Sequence, residues 1–401
     1  MIVLHLILLI LFLYLGGAAV YLFVFAVAGH HPRSRRDEAL PHGETTARIL
    51  VMIPGYKEDD VILHTARHTL TLAYPDPQWE LMIIADSMKP ETLNTLRAMP
   101  LTLVEVSFEK STKSKALNHA MSGIKSEFDV ALILDADNLA AADFLQKVNQ
   151  AYQGGFMAIQ GRRMAKNLNS TIAILDAMSE EINNHIFSSG HRALNLSSRL
   201  AGSGMAFDFQ LFKKTMAGIH AIGGFDKELE LTLIEKGYQV AYLPSAVVYD
   251  EKVAVLSHFG NQRRRWIAAQ FHYASRLFGK ALVALLTRRK TDFFDKATQM
   301  LLPPRLILPG ALLLGGIICL GLGAMDWAIA WGIAFGVNAV AFAISIPGYL
   351  YKIKYLKALA SLPRAFGIMI LSLLKIRGAN NSFIHTPHGT TEMTDVQSGP
   401  E

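Results

Sequence analysis

Cysteine is almost absent. Cys319 stands alone in 401 residues, which excludes an internal disulfide framework and a cysteine-built zinc cluster. Charge is scarce too, at 18% of residues against 51% hydrophobic. Such a chain has ample apolar material for a core and no highly charged arm, so disorder, a collagen-like fibre and a nucleic-acid partner are all poor readings. Internal repeats and long low-complexity runs are missing as well. The length would suit two or three soluble domains at ~100–200 residues each, but this composition argues against a purely soluble chain. The net charge of +6 is modest, and its placement beside apolar segments matters more than its size.

What is present divides the chain into zones. Residues 1–28 carry no charged side chain and exceed the ~20 helical residues that cross a bilayer core. A cleaved signal peptide would want a basic start and a shorter apolar run. His30, Arg33, Arg35 and Arg36 lie in a basic linker, 29–44, which by the positive-inside rule places the next segment in the cytoplasm and Met1 outside. Residues 45–266 have soluble texture. Strand-like runs at Ile49–Ile53, Leu81–Ala85, Leu101–Val106, Val130–Leu134 and Met157–Gln160 alternate with helical patterns at Asp59–Leu72, Lys115–Ile124 and Ala142–Tyr152. That alternation predicts an α/β domain on a mainly parallel sheet, with ligands bound at the carboxyl ends of the strands.

Beyond Trp266 the texture changes again. Residues 267–304 read as an amphipathic interfacial helix and connector. Leu306–Met325 and Trp327–Leu350, in 305–350, read as a two-helix transmembrane hairpin. Residues 351–376 contain a second interfacial helix, Ala365–Leu374, too short to span, and 377–401 form a cytoplasmic tail. The sum is three spans.

Asp135-Ala136-Asp137 follows the buried run Val130–Leu134. Two carboxylates at i and i+2 on a ligand edge are costly unless a cation compensates, and Mg²⁺ or Mn²⁺ commonly bridges such oxygens to substrate phosphates. A solvated strand-end turn is the plainer alternative. Ile53-Pro54-Gly55-Tyr56-Lys57-Glu58 closes the first strand and Asp86-Ser87 the second. Lys113-Ser114-Lys115-Ala116-Leu117-Asn118 opens a helix whose amide groups and lysines suit a phosphate. Gln262-Arg263-Arg264-Arg265-Trp266 could anchor to anionic lipid, or bind phosphate through arginine forks and a sugar through the tryptophan face. His119 and His185 read as structural histidines within helices.

Together, Pro54, Tyr56, Glu58, Asp86, Lys115-Ala116-Leu117-Asn118, Asp135-Ala136-Asp137 and Gln262-x-x-Arg265-Trp266 resemble the family 2 glycosyltransferases. The likeness is strongest to the membrane-embedded branch with cellulose and hyaluronan synthases, and it covers Arg48 to Trp266. It implies a Rossmann-like GT-A domain that inverts a sugar while moving it from a nucleotide sugar, UDP-linked by expectation, to a polysaccharide or lipid-linked acceptor. It also implies a bacterial inner or plasma membrane enzyme with its catalytic domain in the cytoplasm.

Residue by residue, Pro54, Tyr56, Glu58, Asp86, Lys115 and Asn118 would hold the nucleotide sugar. Asp135 would touch the nucleotide, and Asp137, with Asp135, would bind Mg²⁺ or Mn²⁺. Gln262, Arg265, Trp266 and Gly204 would serve the diphosphate and the acceptor, and Phe383–His388 resembles a cytoplasmic gating segment. Relatives carry Thr-Glu-Asp with aspartate as base, where this chain reads Phe225-Asp226-Lys227-Glu228-Leu229-Glu230. Registering the following helix puts Glu228 in the base position, Asp226 second, and leaves Glu230 as a surface charge. A single-addition polyprenyl-phosphate or lipid transferase, a nucleotidyltransferase and a non-catalytic scaffold are the competing readings. A homo-oligomer or accessory subunit stays open.

Overall fold

The computed structural model describes residues 2–39, 45–221, 223–253, 256–364, 366–367 and 370. In chain order the elements begin with α1 (Ile2–Ala28), β1 (Ile49–Tyr56), α2 (Asp59–Thr69), β2 (Trp79–Asp86), α3 (Pro90–Arg97) and β3 (Thr102–Val106). Then come α4 (Lys113–Gly123), β4 (Val130–Ile133), β5 (Leu139–Ala140), α5 (Phe144–Gln153) and β6 (Ala158–Ala165). Next are α6 (Thr171–Asn183), a seven-residue π-helical segment (Asn184–Gly190), the turn α7 (His191–Ala193), β7 (Met205–Asp208), α8 (Phe209–Met216), α9 (Phe225–Glu235) and β8 (Ala241–Asp250). The helices α10 (Leu256–Arg288), α11 (Thr291–Gln299), α12 (Ile307–Gly321) and α13 (Met325–Ser345) follow.

The strands form one eight-stranded sheet in the order β3-β2-β1-β4-β7-β6-β8-β5. β1 pairs in parallel with β2 and β4, β2 with β3, and β6 with β8. β7 runs antiparallel between β4 and β6, and β5 runs antiparallel on β8. All five strands and three helices expected from the sequence are present. The near-continuous apolar strands fit a sheet covered on both faces. Alternate side chains go to opposite faces: Leu50, Met52, Ala131 and Ile133 enter one core, while Ile49, Val51, Ile53, Val130 and Leu132 enter the other.

The apolar helices gather apart from the sheet. Leu22 and Phe25 of α1 pack with Leu308 and Leu312 of α12 and with Trp331 and Ala334 of α13. Phe12 meets the edges of Trp327 and Trp331 at 5.8 and 5.3 Å. The outward faces stay apolar, with Leu13, Val20, Ile317 and Ile333 exposed. Two described helices have the length and composition to cross a membrane, His5–Ala28 within α1 and Met325–Ser345.

Several expectations need adjustment. The helix expected over Leu306–Met325 is 15 residues long and stops at Gly321, about 22 Å at 1.5 Å per residue. Gly323 then turns the chain at φ +71°. Gln262–Trp266 does not precede the amphipathic helix but lies inside it, since α10 is one 33-residue helix. Tyr273, Ala274 and Ala281 of that helix pack on the α/β core, so the domain itself covers part of the face expected to meet lipid. Phe271, Val283 and Leu286 remain exposed.

The basic linker is docked as well. Asp37 forms a two-pronged ion pair with Arg192 at 2.6 and 2.8 Å, both side chains fully buried, and accepts the Tyr242 N–H at 2.9 Å. Most of the interfacial helix expected over Ala365–Leu374 and all of Phe383–His388 lie outside the described residues.

Candidate active site

The site starts at the carboxyl ends of β1 and β2. Their register sets Tyr56 beside Asp86, and each strand ends in a left-handed turn, Lys57 at φ 56° and Ser87 at φ 57°. Asp86 is buried and accepts the Ser87 hydroxyl at 2.9 Å. At Gly55 a Cβ would stand 3.4 Å from that of Ala136 and 2.7 Å from the Met88 methyl. The absent side chain lets the end of β1 approach the Asp135–Asp137 turn.

β4 continues into that turn. The Asp135 N–H donates to the Ser203 hydroxyl at 2.9 Å. Asp137 is buried, and its carboxylate accepts the Glu251 N–H at 3.0 Å and the Asn138 amide at 3.2 Å. Asp137 is thereby held rigidly. Asp135 is about one-third exposed and pairs with the Lys113 ammonium, which also donates to the Gly202 carbonyl at 2.7 Å.

These residues line a cavity of about 510 Å³ that includes Pro54, Tyr56, Glu58, Asp86, Asp135 and Asp137. The lining also includes Gly202, Asp226 and Lys227, the charged residues Arg163, Glu180, Arg199 and Asp250, and Leu22, Phe187, Gln270, Leu302 and Arg305. Arg163 pairs with Asp250 and Arg199 with Glu180, while Lys252 meets Asp250 at 2.8 Å and Glu180 at 3.7 Å. Burial alone would raise the Glu180 carboxyl, but Arg199, Lys252 and Arg163 together hold it well below its usual range.

Asp226, rather than Glu228, reaches the cavity wall. Burial pushes its carboxyl above the ordinary aspartate value, with Lys227 and Lys113 pulling the other way and Glu230 adding to the rise. A raised pKa suits a proton acceptor. Glu228 instead takes a 3.5 Å hydrogen bond from the Tyr273 hydroxyl of α10. Glu230, expected at the surface, is 1% exposed. It accepts the Lys227 ammonium at 2.7 Å and the Leu200 N–H at 3.1 Å, and it faces Lys296 at 3.2 Å. Lys296 arrives from α11, which explains a burial that periodicity along α9 could not reveal.

Three other expected residues shift. Lys115 donates to the Lys110 carbonyl at 2.9 Å, and Asn118 to the Met216 carbonyl at 2.9 Å. Both line a separate hollow beside Phe108 and His220. Thr112 caps α4 by accepting the Lys115 N–H, which makes Lys113 the first helical residue. Lys115 lies about 200° around the helix from it, so only Lys113 reaches the carboxylates. That cap was the available signal. Gly204 is buried in the sheet, its carbonyl accepting the Gly161 N–H at 2.8 Å, and Gly202 takes the position on the wall. Gln262, Arg265 and Trp266 lie on α10, but their side chains fall outside the described set. His185 is structural, hydrogen-bonded to the Ala26 carbonyl at 2.8 Å.

Among the described residues no group of three or more His, Cys, Asp or Glu could hold a metal by protein ligands alone. Asp137 and the exposed edge of Asp135 nonetheless fit a hard divalent ion that takes one or two carboxylates and completes its shell with substrate phosphates.

Residues 47–269 match the family model described as glycosyltransferase like family 2. The chain is similar to a beta-monoglucosyldiacylglycerol synthase of Trichormus variabilis, at 25% identity over 306 residues, covering 72% of this chain and 62% of that protein. It is also similar to the probable glycosyltransferase YdaM of Bacillus subtilis, at 22% identity, covering 55% of this chain and 54% of that one. The chain thus spans less than two thirds of these relatives. Among solved structures, the mannosyltransferase PcManGT of Pyrobaculum calidifontis, in complex with GDP-Man and Mn²⁺, has a TM-score of 0.52 at 17% identity. That match covers 90% of this chain and 98% of the other. The likeness is one of fold.

Proposed function

The chain belongs to the glycosyltransferase-like family 2, and on that premise we propose that it is a membrane-embedded, inverting enzyme of the cellulose and hyaluronan synthase-like branch. It transfers a sugar from a nucleoside diphosphate sugar, UDP-linked first, to a membrane-borne polysaccharide or glycolipid acceptor. One observation carries the reading. A single cavity joins the ends of β1 and β2 to Asp135, Asp137, Lys113 and Asp226, which are the groups needed to hold a nucleotide, charged phosphates and a reacting hydroxyl.

Pro54, Tyr56, Glu58 and Asp86 bind the nucleoside. Asp137 and Asp135 hold Mg²⁺ or Mn²⁺, which when bound offsets charge on the diphosphate. Lys113 moves from Asp135 to the donor phosphates when the donor arrives, adding a fixed cation on the leaving side. Asp226 accepts the acceptor's hydroxyl proton, for which it needs hydrogen-bond reach and an ionised carboxylate. Gln262, Arg265 and Trp266 serve the diphosphate and the acceptor end. α1 and α13 cross the bilayer, α12 pairs with α13, and the α/β domain lies on the basic, cytoplasmic side of a bacterial inner or plasma membrane. The match to a monoglucosyldiacylglycerol synthase favours a second reading within this one, addition of a single sugar to a lipid.

Purified full-length chain, a panel of nucleotide sugars and Mg²⁺ or Mn²⁺ test the proposal when nucleotide release and product mass are followed together. Release of nucleoside diphosphate with gain of one or more sugars on the acceptor supports it. Release of pyrophosphate would instead mark a nucleotidyltransferase.

A further inference from the structure

Lys296 of α11 is a buried cation that the cavity wall does not use. It is fully buried. Among the described residues its ammonium makes no hydrogen bond and faces one carboxylate oxygen, that of Glu230 at 3.2 Å. An ammonium taken out of water and so sparsely paired is unfavourable, and an apolar side chain of similar volume would avoid that penalty. Helix α11 gives it no freedom to turn away. Phe293 and Ala297 belong to the α/β core, Asp292 accepts the Ser197 N–H at 2.9 Å, and Asp295 accepts the Tyr21 hydroxyl at 2.6 Å.

The Glu230 carboxylate divides its two oxygens. One faces Lys296, and the other accepts the Lys227 ammonium at 2.7 Å and the Leu200 N–H at 3.1 Å. The same ammonium donates to the Leu200 carbonyl at 3.0 Å. Glu230 and Lys227 thereby pin the first turn of α9, which carries Asp226, to the wall that runs from Leu200 to Gly202. A Cβ on Gly202 would stand 3.9 Å from an Asp226 carboxylate oxygen. Burial alone would raise the Glu230 carboxyl, but Lys227 and Lys296 hold it below its usual value. Glu230 is therefore an anion near Asp226. The other charges around Asp226 are Lys227 on its own helix and Lys113 on α4. Tyr273 of α10 is neutral, its hydroxyl pushed up by burial, Glu228 and Asp226, with Arg276 opposing. Beside Lys296 on α11 stands Asp295, paired with His191 at 3.2 Å.

We propose that Lys296 is a positioning residue for proton transfer, holding Asp226 at the cavity wall as a free carboxylate through Glu230 and Lys227. This rests on the glycosyltransferase reading above and adds a residue to its site. Lys296 touches neither substrate nor the moving proton. Its charge balances Glu230, so that Lys227 acts as a cation beside Asp226 with no anion left to cancel it. Without Lys296, the Glu230 charge meets Asp226 as a like neighbour, which favours the protonated acid. Asp226 would then accept the hydroxyl proton only at higher pH. A lysine that merely filled space would leave that titration where it is.

The test reads the acid limb of kcat/KM from nucleoside diphosphate release by the full-length chain in detergent with Mn²⁺, beside a thermal melt. The donor is the nucleotide sugar of the panel, and the acceptor whichever of dioleoylglycerol and cellopentaose, that wild type turns over fastest. Lys296→Met should move the limb up by about half a pH unit or more. Glu230→Gln, which leaves two cations near Asp226, should move it down. Lys296→Met combined with Glu230→Gln should return it to the wild-type position. If Lys296→Met alone does not fold, the step from Glu230→Gln to the double variant removes the same charge and should show the same upward shift. A limb that stays put when Lys296 is removed, whatever happens to kcat or to the melt, would overturn the inference and leave the glycosyltransferase reading intact. A wild type that releases no nucleoside diphosphate from any donor with either acceptor would sink both.

Discussion

The two ends of the cavity are built differently. The end proposed for the donor consists of strand termini, Tyr56 beside Asp86 in a parallel register and Asp135 one residue beyond Leu134. Each group is placed by the strand it follows. The far end is assembled from α1, α6, the π-helical segment, β8 and the turn before α12, elements separated by up to almost 300 residues of sequence. A site on strand ends depends on local register, and a site between packed helices depends on every contact that holds them. The first should therefore fail chemically when altered, and the second should fail by loosening.

Asp137 offers the largest effect. Its carboxylate is buried and accepts from Asn138 and the Glu251 N–H, so Asp137→Ala should cost about 1–3 kcal/mol of stability and cut turnover of the folded protein about 10³-fold, or ~4 kcal/mol. Steady-state nucleotide release beside a thermal melt checks both halves. If the variant instead unfolds while the protein that remains folded is fully active, the donor end is not the chemical end.

Arg199 should do the reverse. Arg199→Met strips Glu180 of its hydrogen-bonded ion pair and leaves it only the longer contact to Lys252 at 3.7 Å, and breaking one arm of a buried charge network should cost up to about 3 kcal/mol. Denaturant unfolding in detergent reads that loss, and Arg199→Met combined with Glu180→Met should recover most of it. The sign with pH follows from the lowered carboxyl of Glu180. Its contribution is present above the unfolded glutamate value of ~4.3 and disappears as pH falls through the lower folded value. Wild type should lose this support only in strong acid, and Arg199→Met should lose it earlier.

Asp226 lies between the two ends. Asp226→Asn should lower kcat about 10²-fold, while Glu228→Gln, which touches Tyr273 instead of the cavity, should cost less than about threefold. Because burial raises the Asp226 carboxyl, the acid limb of kcat/KM should lie above the ordinary aspartate value of ~3.9. Removing an opposing cation with Lys227→Met raises that carboxyl further, so the limb should move to higher pH. A limb that stays put would assign the proton to another group.

The same contrast explains what the sequence makes legible. Ile49–Ile53 and Val130–Leu134 are unbroken apolar runs, and their ends could be matched because parallel strands present their carboxyl termini together. β8 carries Pro244, and β7 has only four residues, set antiparallel between β4 and β6, so neither has the texture that marks a central strand. Glu230 looks like a surface residue on α9 until Lys296 arrives from α11. Arg192 and Asp37 have no sequence signal at all, since a pair 155 residues apart exists only once the linker has docked. The proposed base is the instructive middle case. Glu228 follows from matching the motif, and Asp226 from which residue of the first turn of α9 reaches the cavity.

The smallest effects make the sharpest test, because they come from one helical turn. Lys113 and Lys115 both belong to the first turn of α4, and their residue type and net charge are identical. Only Lys113 reaches Asp135 and the Gly202 carbonyl. Lys113→Ala should therefore raise the donor KM about tenfold, ~1.4 kcal/mol, in keeping with one charge-assisted contact to phosphate. Lys115→Ala removes a contact to the Lys110 carbonyl on the opposite side and should change KM less than about twofold. Isothermal titration of nucleoside diphosphate into each variant, with Mn²⁺ present, separates them without requiring an acceptor. If the two lysines proved equal, the phase of α4 set by the Thr112 cap would be wrong, and with it the placement of the donor phosphates against Asp135.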